Sequence, residues 1–279
     1  MLGPADGRYV LRGHAGEPEH VLVLETIGAP PRTRRRRLFG RGGARGTGTG
    51  RRVEAEPEPA PVPVTVATIV GAVPIGDADV AAAWLEAADL RAEAHAAVEV
   101  LNGVLHVQRV VSADPYVREV LAEQALAIRV GIGVGDEVAQ GLWSEARALS
   151  PVDVSVQRRA HALRPQERFA ALLAGRDVAL AAEELTLRAR LDLDRGRTRE
   201  AALQLRVALE AALSELQAWS HHAEMATRLA ELRDERAAVA AAANRALEGG
   251  LDATQIADVE RVVGRVEAAL TARVAGGMD

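Results

Sequence analysis

The sequence predicts a mainly α-helical (α+β) protein: a small N-terminal antiparallel three-stranded sheet with a disordered arginine-rich insertion, then a multi-helix bundle ending in a helical hairpin. Three observations carry this. Apolar residues fill 48% of 279 positions, ample for a buried core. The aromatic set is small (3 Trp, 2 Tyr, 2 Phe), so alanine, valine and leucine supply the apolar volume, which suits closely packed helices better than an aromatic-rich sandwich. Early apolar residues cluster in short β-branched runs, whereas beyond Gly76 they recur at helical spacing.

Arg8 to Arg12 (RYVLR) and Val21 to Ile27 (VLVLETI) read as a hairpin, with Gly13, Gly16 and Pro18 in the turn between them. Val62 to Val70 (VPVTVATIV) is the third strand and the strongest, with Val64, Val66 and Thr68 on one side and Thr65, Ala67 and Ile69 on the other. The expected division is a β subdomain over residues 1–75, containing a disordered loop at 28–61, and a helical domain over 76–279. Residues 28–61 are rich in Gly, Pro, Arg and Glu and nearly without large apolar side chains, too little to offset the entropy of ordering them.

Asp77 is an N-cap for a helix using Val80, Trp84 and Ala88, followed by Val98, Leu101 and Leu105; Asn102-Gly103 is a candidate break. Asp114-Pro115 is a start signal for a helical run to about Arg129. Asp136 is expected to cap a short helix, Pro165 to open one ending near Gly175, Asp177 to start one ending at Gly196, and Thr198 to cap one running to about Trp219. The C-terminal hairpin, 222–275, carries two seams. Met225, Leu229, Leu232, Val239 and Ala243 form the first, interrupted by Arg236; Ile256, Val259, Val263, Val266 and Leu270 form the second. They are expected to face each other across a Gly249-Gly250 turn, the alternative being that one accepts a helix from a second chain.

Glu184 to Leu213, ELTLRARLDLDRGRTREAALQLRVALEAAL, resembles one tetratricopeptide repeat unit. Gly196 sits at the turn, and Ala201, Leu205 and Ala208 match the small-large-small face of that motif's second helix. Leu187 and Leu191 are one position out of step with the motif, the terminal proline is missing, and no second copy follows at the repeat period. The resemblance covers about a tenth of the chain and implies a helical hairpin with a capacity for peptide binding.

Composition removes several chemistries. All 34 basic residues are arginine, and cysteine is absent. No phosphate loop of the lysine type, Schiff base, thiol nucleophile, disulfide or thiolate metal site is available. No HExxH or GxSxG motif occurs among the residues. Hence no enzyme, cofactor or metal is expected. His221-His222 with Glu224, the i,i+4 pair His95 and Glu99, and the polar group His106, Arg109 and Asp114 all have structural readings. The carboxylate pairs Glu183-Glu184 and Asp192 with Asp194 are expected to be neutralised by Arg188, Arg190 and Arg195. The loop VGIGVGD, with Gly131, Gly133 and Gly135, has phosphate-cradling spacing but no preceding strand in this reading. Asp136 would also set a negative charge where a phosphate should lie. A tight turn is the expectation, and a small-molecule or catalytic site near His106 and residues 131–143 is the third alternative.

The remaining functional candidate is Arg32 to Arg52, RTRRRRLFGRGGARGTGTGRR, whose arginines are Arg32, Arg34, Arg35, Arg36, Arg37, Arg41, Arg45, Arg51 and Arg52. Subtracting their nine positive charges from the net charge of -5 leaves -14 for everything else. Guanidinium groups interspersed with glycine, together with Phe39, resemble arginine-glycine segments that hold single-stranded nucleic acid. An acidic protein or an anionic membrane surface would attract the same charges. The leading expectation is a protein partner bound through helical faces, in an adaptor role; nucleic-acid binding is the second. MLGPADGRYV shows no signal-peptide pattern, and no run of about 18 apolar residues occurs, so a cytoplasmic protein without a transmembrane segment is expected.

Overall fold

A computed structural model describes residues 3–13, 15–28, 62–149 and 165–275. The chain forms two compact units, Met1–Ser155 and Val156–Asp279.

In the first unit, strands β1 (Gly7–Arg12), β2 (Pro18–Ile27) and β3 (Val64–Gly71) pair antiparallel in the order β1-β2-β3. Alternation sets which face is buried: Leu22 and Leu24 of β2 point inward, where Tyr9, Leu11, Ala67 and Ile69 join them. Of the two sides anticipated for β3, that of Ala67 and Ile69 is therefore the core side. Helix α1 (Ala78–Ala87) begins where the Asp77 carboxylate accepts the Val80 N–H at 3.0 Å. Helix α2 (Leu90–Val111) is capped by Asp89, which accepts from Arg91 N and Ala92 N at 3.0 and 3.2 Å. Leu101 and Leu105 of α2 cover the inner face of the sheet.

Asn102-Gly103 does not break α2, and Asn102 does a different job. Its fully buried amide donates to the Val120 carbonyl at 3.0 Å and accepts the Val120 N–H at 2.8 Å. A side chain thus completes the backbone pairing of an extended segment, as a strand neighbour would. This corrects the helical run expected from Pro115 to Arg129. Asp114 does accept the Tyr116 N–H at 2.9 Å, but the turn stops there, because Val120 is held extended by Asn102. A short 3-10 turn (Ala122–Gln124) follows, then β4 (Ile128–Ile132). The preceding Ala113 takes a left-handed φ of 51°, closing α2 with bonds from Ala113 N to Val110 O and from Asp114 N to Arg109 O.

Strand β4 pairs antiparallel with β5 (Glu145–Leu149), a hairpin the sequence reading missed. Its link contains a 3-10 helix (Gly135–Gln140), in whose first turn Asp136 lies rather than capping it. Ile128 and Leu149 pack with Ala94, Val98 and Ala122 into a small second core.

The second unit is helical: α3 (Pro165–Leu173), α4 (Ala181–Asp194), α5 (Thr198–Glu215), α6 (Ala223–Asp234), α7 (Arg236–Glu248) and α8 (Ala253–Ala275), with a 3-10 turn (Leu216–Trp219) extending α5. Helix α4 starts at Ala181, not at Asp177. Helices α4 and α5 form an antiparallel pair around Gly196, whose φ of 67° permits the chain reversal. Ala182, Ala189, Ala201 and Ala208 are fully buried, and such small side chains allow close helix approach. At the open end of the pair, the Glu215 carboxylate accepts the free N–H groups of Ala181 and Ala182 at 3.1 and 2.9 Å.

The two C-terminal seams enter one core together with α4 and α5, including Met225, Leu229, Leu232, Val239, Val259, Val263, Val266 and Leu270. The interruption expected at Arg236 is a one-residue joint between α6 and α7. There Glu235 turns inward and accepts from Arg261 and Arg265 of α8 at 2.5 and 2.7 Å, while Arg236 forks onto Glu210 of α5. No helix among the described residues is long and apolar enough to cross a membrane.

Candidate functional site

The arginine candidates Arg32, Arg34, Arg35, Arg36, Arg37, Arg41, Arg45, Arg51 and Arg52 lie outside the described residues, as does the rest of 29–61.

The glycine-rich loop of the first unit is explained by packing. Gly131 is inside β4, so a strand does precede the loop, contrary to expectation. A Cβ at Gly131 would collide with the Glu145 carbonyl oxygen, and one at Gly133 would press on Val138 and on the Leu142 carbonyl. Gly135 adopts a φ of 57° to enter the 3-10 helix. The exposed Asp136 carboxylate pairs with Arg8 of β1 at 3.1 Å, so the two charges at the mouth of the loop compensate each other. His106 is half-buried on α2, whereas Arg109 and Asp114 are joined through the backbone bond that closes that helix.

His221 and His222 precede α6 with ring centroids 4.1 Å apart. The nearby Glu224 is taken by Arg228 at 2.7 Å, and His221 Nδ1 lies 3.1 Å from the Ala218 carbonyl oxygen. Among the described residues, no group of three or more His, Asp or Glu is arranged to hold a metal ion.

The carboxylate pairs are partitioned differently from expectation. Glu184 pairs with Arg188 at 2.9 Å and Asp192 with Arg197 at 2.7 Å, while Arg190 leaves the hairpin for Glu267 of α8. Glu183 belongs to a four-charge cluster that sequence reasoning missed. Arg168 of α3 donates through Nη2 to both Glu183 oxygens, at 2.6 and 2.8 Å, and through Nε to Asp177 at 3.1 Å. Arg273 of α8 donates to Asp177 at 2.7 Å and approaches Glu183 at 3.7 Å. Its guanidinium stacks 4.7 Å from the centre of the Trp219 ring. Glu183 also accepts the Leu180 N–H at 2.9 Å, tying the cluster to the start of α4. Burial acts against the Asp177 charge, but the Val178 N–H, Arg168 and Arg273 outweigh it and hold this carboxyl below the ordinary aspartate range. The hydrogen bond that Arg168 donates to Glu183 leads the effects that raise its pKa above the ordinary arginine value. Two cations and two anions compensate each other here, leaving no net charge to attract an ionic ligand.

The α4–α5 pair also presents aliphatic side chains to solvent. Leu187, Leu191 and Val207 are 65%, 42% and 55% exposed. On α4, Leu187 and Leu191 are one helical turn apart and share a face, opposite to the buried Ala182 and Ala189.

Comparison of the chain with known proteins found no matching family model, curated protein or solved structure.

Proposed function

We propose that this is a non-enzymatic interaction protein, an adaptor that binds another protein through its helical faces, with the α4–α5 pair as the contact surface. The observation that carries the reading is the exposure of Leu187, Leu191 and Val207 on helices whose opposite faces are closely packed. Aliphatic side chains on a rigid, well-anchored helical pair suit recognition of an amphipathic partner segment. The tetratricopeptide-like pattern of Ala201, Leu205 and Ala208 is consistent with such a role. A cytoplasmic location belongs to the same proposal.

The test is a Leu187→Glu/Leu191→Glu double variant of the full chain. Proteins retained by the immobilised wild type are identified, the most enriched is purified, and its affinity for both forms is titrated. The expected result is a loss of at least about tenfold in affinity with an unchanged melting temperature, since charges placed on an apolar contact must be desolvated. Equal affinity would move the interface off this face.

The second reading is a nucleic-acid-binding accessory protein, favoured by the concentration of nine arginines between Arg32 and Arg52 in a chain otherwise at -14. Titration across salt concentrations is expected to give a log-log slope of about -3.5 against single-stranded RNA and about -4.5 against duplex DNA, corresponding to about five phosphate contacts in each case. Deleting residues 32–52 is expected to abolish the binding. Retained affinity in the deletion would assign it to the rest of the chain.

A further inference from the structure

Helix α3 is joined to its unit in a way unlike the helices around it. None of its described side chains enters the apolar core formed by α4 to α8. Phe169 and Leu173, spaced i,i+4, are 63% and 74% exposed, and Ala171 and Leu172 are only partly buried. Among its described side chains, the one that fastens α3 to the residues after it is Arg168, with its three hydrogen bonds to Asp177 and Glu183.

The geometry of the cluster separates its two arginines. Arg168 is its outer member and Arg273 its inner one, with side chains 25% and 8% exposed. If Arg168 lets go, Asp177 and Glu183 keep Arg273 beside them, so no buried charge is left alone and the core is not disturbed. A fastening of this kind opens locally, at low free energy, while apolar packing elsewhere persists.

We infer that α3 is a detachable arm, held to the second unit by the Arg168 ion-pair latch rather than by apolar packing. The arm carries Phe169, Leu172 and Leu173 at i,i+3,i+4 spacing, one continuous apolar row. Arm release does not depend on the function proposed for Leu187 and Leu191, which lie on a different helix.

Hydrogen exchange on the full chain tests this. In an Arg168→Met variant, amides of 168–175 are expected to exchange at least about tenfold faster than in the wild type, with 201–213 and 259–270 unchanged. Asp177→Asn, which removes one of the two carboxylate charges from the latch, is expected to give a smaller acceleration at the same amides. Raising NaCl to about 1 M should act on the wild type in the same direction, because the latch is partly exposed to screening. Unaltered exchange of 168–175 in Arg168→Met would overturn the proposal, as would acceleration spreading into α5 and α8. So would a wild-type α3 already exchanging at the rate of an unstructured peptide, since no docked state would then exist to release.

Discussion

Replacing Arg273 by methionine is expected to lower the unfolding free energy by about 3 kcal/mol. Arg273 is the most enclosed member of the four-charge cluster, 2.7 Å from Asp177, 3.7 Å from Glu183 and stacked on Trp219. Methionine keeps much of the stem's packing but leaves two enclosed carboxylates sharing one arginine, and the stacking on Trp219 disappears with the charge. An opposing effect sets the magnitude at the lower end of the usual range. The Nε and Nη1 groups of Arg273 are buried without hydrogen-bond partners, so their removal offsets about 1 kcal/mol of the loss. Urea denaturation followed by circular dichroism provides the measurement, with Arg168→Met as the comparison. The outer arginine should change global stability by less than the inner one. A loss below about 1 kcal/mol in Arg273→Met would mean that the cluster is solvated as well as any surface pair.

The contrast between those arginines is invisible in the sequence. Arg168, Asp177, Glu183, Trp219 and Arg273 span more than a hundred positions, and no spacing rule links an arginine in one helix to carboxylates two elements away. Local periodicity did reveal the apolar seams, since Met225, Leu229 and Leu232 can reach one core only if they share a helical face. The three N-terminal strands were legible for the same reason, because alternation at Leu22 and Leu24 or at Ala67 and Ile69 is a local pattern. The β4–β5 hairpin was not. IRVGI and EARAL are too short and too mixed in character to announce strands, and Asp114-Pro115 offered a strong helix signal in front of them. That signal lost to a tertiary interaction: buried Asn102 captured both backbone groups of Val120. Pairing among charges was equally illegible, because Glu183 had arginines nearby in sequence yet took its partners from α3 and α8.

Leu205→Ala should cost about 3 to 4 kcal/mol of unfolding free energy, measured by the same urea titration. Leu205 is fully buried on α5, in a stretch where Ala201, Ala202, Ala208 and Ala212 are also fully enclosed. Such small neighbours cannot swing into the vacated space, so filling it would require α4 and α5 to close further. Both ends of the pair resist that movement. Glu215 holds the first N–H groups of α4 at one end, and at the other Arg197 donates its Nε to the Asp192 carboxylate and its backbone N–H to the Asp192 carbonyl. The residual cavity therefore persists and adds its own penalty to the lost transfer free energy of the removed side-chain atoms. Leu187→Ala on the exposed face of α4 is the internal control, expected to change stability by no more than about 0.5 kcal/mol. If Leu205→Ala fell within that same margin, the small side chains of α5 would have to be accommodating the loss, and the α4–α5 pair could no longer be treated as a rigid platform for binding.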